Sequence, residues 1–459
     1  MRIPEELLIK YNYPVPRYTS YPPANRFSEH FSAEDYRSLV EDSNHGRPDN
    51  IAVYIHIPFC RKICHYCGCN TIPRGKGEMV APYLKALENE IRLVTGMLDK
   101  NRRVSQIHYG GGSPDTLDPD TISRLNDLVL SQFSTIENPE IAIECNPAYT
   151  DEDYISGLLR AGFNRFSFGV QDFDSRILRD LNRDPGGQRL ESLTALIKSY
   201  DRNISINFDF IYGLPGQTAA SFSNTMAKAA AIRPDRIVTF SYAHVPWLKK
   251  HQQILDKKGL PEAGEKMKMF LSAYDLLTGE GYRQIGLDHF VLPEDDLFRA
   301  FTNHELHRNF QGYCTRRTTG QVYAFGVTAI SQLEMGYSQN TRDMNEYLKV
   351  TAEHGFPVER GYRLNPEEIL IREVITELMC NKYVNFNDLC KLNGLPKGST
   401  DRLREQARQK LSEMEAEGLL VNSDDSIEVS DNGGFFIRNI ASLFDHELND
   451  NKQNYSRNV

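Results

Sequence analysis

The chain has 459 residues, of which 40% are hydrophobic, and it carries a formal net charge of −9. This length allows one large α/β domain and a smaller one. The acidic balance argues against a nucleic-acid partner held by counterion release, and neither a signal peptide nor a run of eighteen apolar residues is present. We therefore predict a globular, cytoplasmic protein that binds neither nucleic acid nor membrane.

The first 50 residues predict one helix, at residues 32–41, with Ser32 as its N-cap. Residues 15–23 form an aromatic, proline-rich arm, which the prolines keep extended. Such an arm is either a strap packed across the domain surface or a lid over a substrate. The sequence leaves both interpretations open.

From residue 51 onward, short apolar runs alternate with amphipathic segments. The predicted strands are residues 51–56, 106–109, 140–145, 165–169, 203–212 and 236–242. The predicted helices between them are residues 80–98, 119–133, 151–161, 190–200 and 219–230. Such an alternation indicates a parallel sheet, either open and doubly wound or a partial barrel, with function at the carboxyl ends of the strands.

Four of the eight cysteines, Cys60, Cys64, Cys67 and Cys69, lie within ten residues directly after the first predicted strand. Three thiolates at the first three of these positions can hold a cubic iron–sulfur cluster, with one iron left open for another ligand. A zinc site or a disulfide pair is the alternative. Four zinc ligands in ten residues would be cramped, and nothing else in the chain looks secreted.

Polar residues and glycines follow the other predicted strands. The glycines at 110–112 permit a close approach of the backbone to a ligand, and their amides can hold a charged group. Glu144 and Gln171 follow the third and fourth strands, and Asp209 lies among apolar residues of the fifth. Because an unpaired buried carboxylate is costly, Asp209 faces either a polar ligand or a structural ion pair.

The last third of the chain contains two further patterns. Residues 262–281 predict a helix and residues 284–290 a strand with a turn, while His304 and His307 fall in a segment that suits an anionic planar ligand or a polar cap on the barrel end. From Asn365, an N-cap, we predict helices at residues 366–381, 385–392, 400–417 and 435–444 and a hairpin of residues 419–422 with 427–429. This winged-helix-like module is acidic, which favours a lid or scaffold.

Several motifs together identify a family. They are the cysteine loop, the GGGSP loop at residues 110–114, GVQD at 169–172, DFIYGLP at 209–215, DHF at 288–290 and NFQGY at 309–313. The chain resembles the oxygen-independent coproporphyrinogen III dehydrogenases, radical S-adenosylmethionine (SAM) enzymes of haem synthesis. The resemblance extends from the arm at residues 16–22 to the helix at 437–440.

The resemblance implies an α/β fold, a TIM-like partial (β/α)6 barrel at residues 51–358, with an N-terminal arm at 1–50 and a mainly helical domain at 359–459. It implies a [4Fe–4S] cluster and two SAM molecules. The cluster ligands would be Cys60, Cys64 and Cys67. The first SAM would contact Tyr54, Gly111 and Glu144, and the second Tyr66, Gly112, Ser113, Gln171, Arg183, Asp209, Ala243 and Ile330. Tyr54 and Cys69 would be catalytic. Tyr66 stands where phenylalanine is frequent in the family, and Ser113 where threonine is frequent.

The family reaction is the anaerobic oxidative decarboxylation of two propionates of coproporphyrinogen III to the vinyl groups of protoporphyrinogen IX. The implied partners are this substrate and a reducing electron donor such as flavodoxin or ferredoxin, with the enzyme as a monomer. A related haem chaperone and a haem-degrading radical enzyme are the alternatives. Cys69 and the complete C-terminal domain weigh against the chaperone.

Overall fold

The structure is a computed structural model that describes residues 4–448. Its strands are β1 (Ile51–Ile57), β2 (Phe59–Cys60), β3 (Ile72–Pro73), β4 (Val104–Gly111), β5 (Thr135–Cys145), β6 (Arg165–Gln171), β7 (Ser205–Tyr212), β8 (Arg236–Ser241), β9 (Arg283–Ile285), β10 (His289–Val291), β11 (Leu306–Asn309), β12 (Gly312–Thr315), β13 (Gln321–Phe325), β14 (Ile330–Leu333), β15 (Gly336–Asn340), β16 (Val358–Arg363), β17 (Tyr383–Asn385), β18 (Leu420–Asn422) and β19 (Ser426–Val429).

The helices follow the same chain order. They are α1 (Glu5–Tyr11), α2 (Ala33–Asp42), α3 (Val80–Thr95), α4 (Pro119–Leu130), α5 (Glu152–Arg160), α6 (Ser175–Asp180), α7 (Leu190–Tyr200), α8 (Ala219–Ile232), α9 (Gln253–Asp256), α10 (Ala263–Gly279), α11 (Asp296–Thr302), α12 (Met344–Ala352), α13 (Pro366–Asn381), α14 (Phe386–Leu392), α15 (Asp401–Ala416), α16 (Asp431–Gly434) and α17 (Ile437–Ser442). No helix in the described part of the chain is long and apolar enough to cross a membrane.

The six predicted parallel strands are confirmed and pair in chain order. The main sheet has the order β16-β15-β14-β13-β1-β4-β5-β6-β7-β8-β10-β9, in which β1 and β4 to β8 are parallel neighbours. Parallel crossovers are right-handed, so strands added in one direction place all their helices on one face. In a doubly wound sheet, by contrast, the direction in which successive strands are added reverses at one point, which places helices on both faces. Strands β1 and β4 to β8, which are added in one direction, therefore have the order of a partial barrel.

The four strands on the other side of β1 were not predicted. Strand β13 pairs in parallel with β1, with Ile51 opposite Gln321, and β14 to β16 continue as an antiparallel meander. All five residues of β15 are buried, although Ser338, Gln339 and Asn340 are polar. Buried polar strands lack the apolar runs from which strands are predicted, which is why this half of the sheet was missed. Helices α6, α11 and α12 were missed as well.

The predicted helices agree with the structure to within a few residues at their ends. Ser32 and Asn365 are both confirmed as N-caps, each in a reciprocal capping box, with Asp35 and Glu368 respectively. The predicted helix 80–98 ends earlier, at Thr95, and α17 is shorter than the predicted 435–444. Helix ends fray and their limits are set by caps rather than by hydrophobic periodicity.

The C-terminal part of the chain has an apolar core of its own. The predicted hairpin is confirmed as β18 with β19, and β17 joins it to form a three-stranded antiparallel sheet. Strand β16 of the main sheet spans residue 358, where the barrel was predicted to end. The division into arm, barrel and helical domain stays a prediction.

The N-terminal arm lies between the main sheet and the last helices. The Tyr18 hydroxyl donates to Asp445 Oδ2 at 3.0 Å, and Arg438 Nε donates to the carbonyl of Pro16 at 3.1 Å. On the sheet side, the Tyr337 hydroxyl donates to the carbonyl of Tyr21 at 3.0 Å. These contacts favour a strap over a detached lid.

The segment that contains His304 and His307 forms an antiparallel hairpin of β11 with β12. The hairpin is joined to α13, because Asn381 accepts from the Leu306 amide at 3.0 Å and donates to its carbonyl at 3.1 Å. Burial holds the pKa of His307 well below its ordinary value, so this imidazole is neutral. The hairpin therefore connects the sheet to the C-terminal module.

A buried ion pair fixes helix α11 to the sheet and provides a test of the fold. Arg236 Nε donates to Asp295 Oδ2 at 2.8 Å, and both side chains are at most 4% exposed. We expect Asp295→Asn, which preserves the N-cap bond to the Leu297 amide, to lower the free energy of unfolding by about 3 kcal/mol, since it leaves a buried guanidinium without its counter-charge.

The adjacent Asp296 is the matched control for this measurement, because its side chain is 53% exposed. Asp296→Asn should change the free energy of unfolding by less than about 1 kcal/mol in urea denaturation. If the two substitutions lowered the free energy of unfolding equally, the buried pair would not stabilise the fold more than an exposed residue does.

Candidate active site

The cysteine loop leaves the carboxyl end of β1 and is closed at its base by backbone bonds. The Ile72 amide donates to the carbonyl of Pro58 at 2.8 Å, and the Arg74 amide donates to that of Cys60 at 2.8 Å, so that β2 and β3 pair in parallel. Between these bonds, the loop carries its four cysteines as free thiols. The disulfide alternative is thus not supported.

The glycines that end β4 form the floor under this loop. The Gly112 amide donates to the carbonyl of Ile57 at 2.8 Å, and the Ser113 amide donates to that of Phe59 at 2.9 Å. A Cβ on Gly112 would lie 2.7 Å from the Pro58 backbone, and one on Gly111 would lie 2.4 Å from the His56 ring. The Gly112 amide therefore holds the cysteine loop, and the contact of Gly112 with a SAM stays a prediction.

Most of the predicted site residues surround one cavity of about 190 Å³ at the carboxyl ends of the parallel strands. The predicted residues that line it are Cys60, Cys64, Tyr66, Cys67, Cys69, Gly111, Gly112, Ser113, Glu144, Gln171, Arg183 and Asp209. The cysteine loop, the ends of β4 to β7 and the segment after α6 supply them. The parallel pairing of β4 to β7 is what brings them together.

Tyr54, Ala243 and Ile330 do not line this cavity. Tyr54 lies behind its wall, with its hydroxyl 3.1 Å from His56 Nδ1. Ala243 lines a second, larger cavity. Ile330, at the start of β14, packs among apolar residues beside Tyr337.

Two histidines that the sequence did not single out support the wall. His56 Nε2 lies 3.2 Å from the carbonyl of Asn70, and burial lowers the pKa of His56 to about 4. A neutral His56 that donates a hydrogen bond from Nε2 accepts one from the Tyr54 hydroxyl at Nδ1. His108 Nε2 lies 3.2 Å from Glu144 Oε1. The register of β1 with β4 places His108 opposite Tyr54 and His56 opposite Gly110, so both histidines lie beside predicted site residues.

The larger cavity, of about 620 Å³, lies at the same edge of the sheet, where β7 contributes Tyr212 to it. Its walls are aromatic, with Tyr212, Tyr242, Trp247, Phe270 and Phe435. Three cationic side chains also line it, namely Arg17 from the arm, Lys266 from α10 and Arg438 from α17. This cavity suits a large apolar ligand that carries carboxylates.

Comparison with known proteins identifies the family. The Radical SAM superfamily matches residues 54–229. The oxygen-independent coproporphyrinogen III oxidase of Synechocystis sp. is 41% identical over 98% of this chain and 96% of its own length, and that of Escherichia coli is 38% identical over 96% and 95%. The chain belongs to the oxygen-independent coproporphyrinogen III oxidase family. The solved coproporphyrinogen III oxidase from Escherichia coli, a radical SAM enzyme, aligns with a TM-score of 0.88 at 35% identity over 98% of this chain and all of that one.

A radical SAM oxidase of this family contains a [4Fe–4S] cluster and SAM. The donor set of the loop fits a cluster, because thiolates are the ligands that iron–sulfur clusters take. Within residues 4–448, no three His, Cys, Asp or Glu side chains surround a single metal ion, whereas cluster thiolates each reach a different iron. Arg183 Nη1 lies 3.6 Å from Cys64 Sγ and adds positive charge beside this thiol.

The loop thiols differ in their protonation. Burial raises the pKa of the Cys60 thiol to about 12, so iron would have to displace the thiol proton when it binds. The hydrogen bond with Cys69 lowers the pKa of Cys67 and raises that of Cys69 well above its ordinary value. Cys69 is also the exposed member of the four. Its exposure thus distinguishes Cys69 from the other three cysteines of the loop.

Asp209 accepts hydrogen bonds from neutral groups. The Ser167 hydroxyl donates to one carboxylate oxygen at 2.7 Å, and Asn207 Nδ2 donates to the other at 2.8 Å. Burial raises the pKa of Asp209. Among the described residues, no cation lies within ion-pair distance of Asp209. The structural ion pair is therefore disfavoured, and a contact of Asp209 with a ligand of the smaller cavity stays a prediction.

We expect Cys60→Ser, Cys64→Ser and Cys67→Ser each to abolish cluster assembly, because a hydroxyl is a poor replacement for a thiolate at iron. Cys69→Ser should retain its iron and lose product formation. Iron per chain after anaerobic reconstitution distinguishes these outcomes. A loss of iron in Cys69→Ser equal to that in the other three would make Cys69 a ligand.

We expect Asp209→Asn to leave the Tm of the ligand-free oxidase close to that of the wild type, since both neighbours are neutral and the change is nearly isosteric. Decarboxylation should fall about tenfold or more, as expected when a charge-assisted hydrogen bond to a ligand is lost. Thermal unfolding and turnover are measured on the same preparations. A large fall in Tm with turnover preserved would assign Asp209 to structure.

Proposed function

We propose that this chain catalyses the anaerobic oxidative decarboxylation of two propionates of coproporphyrinogen III, which gives the two vinyl groups of protoporphyrinogen IX. The observation that carries this proposal is the position of the cysteine loop beside a large aromatic cavity with three cationic side chains. The smaller cavity offers thiolates for a redox cofactor, and the larger cavity offers positively charged side chains for propionates.

The bound cofactors would supply the one-electron chemistry that removes a hydrogen atom from the carbon next to each pyrrole ring. Each propionate then loses its carboxylate as carbon dioxide, the bond to that carboxylate breaks, and one electron passes to an acceptor. No side chain need act as a general base in this sequence. The work of the protein is positioning and the exclusion of water.

The smaller cavity is proposed to hold SAM. Tyr54, Gly111 and Glu144 would contact the first molecule. Glu144, whose side chain is 43% exposed, has one oxygen bound to His108 and remains accessible from the cavity. A second molecule would contact the following residues of the same cavity: Tyr66, Gly112, Ser113, Gln171, Arg183 and Asp209. It would also contact Ala243 and Ile330, which, like Tyr54, lie outside the lining of this cavity. Gln252 supports this arrangement, because its amide donates to the carbonyls of Tyr66 at 2.9 Å and Ala243 at 3.4 Å and so joins the walls of the two cavities.

The larger cavity is proposed to hold the tetrapyrrole, with Arg17, Lys266 and Arg438 on its propionates. The three cations come from the predicted arm, barrel and helical domain, so all three parts would enclose the substrate. The Lys266 ammonium lies 3.2 Å from the carbonyl of Tyr242, and burial lowers its pKa. We further propose that the enzyme works as a monomer in the cytoplasm and receives electrons from a carrier such as flavodoxin or ferredoxin.

Anaerobic incubation with coproporphyrinogen III, SAM and dithionite tests this function. Mass analysis of the oxidised porphyrins should show loss of first one and then two propionate carboxyl groups, with 5'-deoxyadenosine formed in step. Unchanged coproporphyrinogen in the presence of a fully loaded cluster would refute the activity.

Lys266 offers a more specific prediction about the substrate. Lys266→Met retains the apolar stem and removes the charge, so we expect the KM for coproporphyrinogen III to rise about tenfold, as for one lost charge-assisted hydrogen bond. Lys268→Met on the same helix is the matched control, because its side chain is 71% exposed. Equal KM values for the two variants would contradict a contact between Lys266 and a propionate.

A further inference from the structure

The outer surface of the cysteine loop is basic, although the chain as a whole carries a net charge of −9. Residues 60–79 contain four Lys or Arg and one acidic residue. Residues 247–260 contain four lysines and one acidic residue. Two segments far apart in the sequence thus share the same excess of positive charge.

These segments meet in the structure. Lys249 Nζ donates to the carbonyl of Cys69 at 2.9 Å, His251 Nε2 lies 2.8 Å from that of Cys67, and Gln252 Nε2 donates to that of Tyr66 at 2.9 Å. We call residues 247–258 the outer segment. Its side chains hold the backbone of the cysteine loop, so the outer segment and the loop lie against each other.

Three of the acidic residues beside this surface are already paired. Asp180 is bound by Lys258, Asp184 by Lys62 and Asp256 by His244. Within the described chain, by contrast, no carboxylate lies within ion-pair distance of Lys249, Lys250 or Lys257. Positive charge therefore remains available on the outer segment.

The outer segment also exposes apolar side chains. Trp247 is 66% exposed, Leu248 72% and Ile254 43%. Large exposed apolar residues surrounded by polar ones mark protein interaction sites more often than they occur by chance on a free surface. Lys250 and Lys257 are both exposed beside them. The segment thus combines exposed apolar side chains with exposed lysines.

We propose that the outer segment is the docking surface for a small acidic one-electron carrier protein. The proposal rests on the proposed function, which requires an electron from outside the enzyme. On docking, the carrier is oxidised by one electron, and the redox centre held by the cysteine loop is reduced by one. An acidic surface complements the lysines, and such complementarity raises the association rate without requiring a large interface.

The single tryptophan of the chain gives a direct test of docking. Protein labelled with 5-fluorotryptophan has one 19F resonance, from Trp247, and is titrated with oxidised flavodoxin in the absence of tetrapyrrole, because Trp247 also lines the larger cavity. We expect a saturable shift that weakens at high salt. Lys250→Glu with Lys257→Glu should weaken binding about tenfold or more.

The matched control exchanges the same charge elsewhere. Lys391 and Lys410 are exposed on α14 and α15, and their double substitution by Glu should leave the titration unchanged. The formation of 5'-deoxyadenosine is then compared with reduced flavodoxin and with dithionite, a small reductant that needs no docking surface. The variant with Lys250→Glu and Lys257→Glu should form 5'-deoxyadenosine more slowly than the wild type with reduced flavodoxin, and at the wild-type rate with dithionite.

Two results would overturn the proposal. One is an equal 19F response and an equal flavodoxin-driven rate in both double variants. The other is a 19F response to anionic lipid vesicles or RNA and none to flavodoxin, which would assign the surface to a different partner. Failure of the proposed function is separate: no protein would then turn over with dithionite, while the titration would still report docking.

Discussion

The site depends on the absence of side chains at the end of β4. Two backbone bonds, from the amides of Gly112 and Ser113 to the carbonyls of Ile57 and Phe59, hold the start of the cysteine loop against this strand end. A methyl group on Gly112 would collide with the Pro58 backbone. The position of the thiols is therefore fixed by a close approach of two backbones, which no side chain could replace.

The remaining polar groups reach the same place through the order of the sheet. Strands β5, β6 and β7 carry a polar residue in their carboxyl-terminal halves, respectively Glu144, Gln171 and Asp209, and parallel pairing brings the three residues to one cavity. Burial of Asp209 is tolerated because Ser167 and Asn207 donate to it without neutralising its charge. The two donors thus satisfy the buried carboxyl group of Asp209 where it lines the smaller cavity.

The sequence was sufficient for features with a local signal. Apolar runs located the six parallel strands, and the spacing of Cys60, Cys64 and Cys67 located the loop and its chemistry. It was insufficient where a feature depends on distant pairing. The polar residues of β15 are buried by their neighbours, and the use of the Gly112 amide is decided by Ile57, which is 55 residues away in the sequence. Neither the burial of β15 nor the bond of the Gly112 amide produces a periodic pattern in the sequence.

The strap contacts of the N-terminal arm join the first and last parts of the chain to be synthesised. The bond from Tyr18 to Asp445 spans 427 residues, and that from Arg438 to Pro16 spans 422. Loop closure over such a distance awaits nearly the whole polypeptide. On the ribosome, the sheet and its cysteine loop can form while the wall made by Arg17 and Arg438 is still missing. The larger cavity is therefore completed only after Arg438 has left the ribosome, and a chain truncated before Arg438 would leave it open.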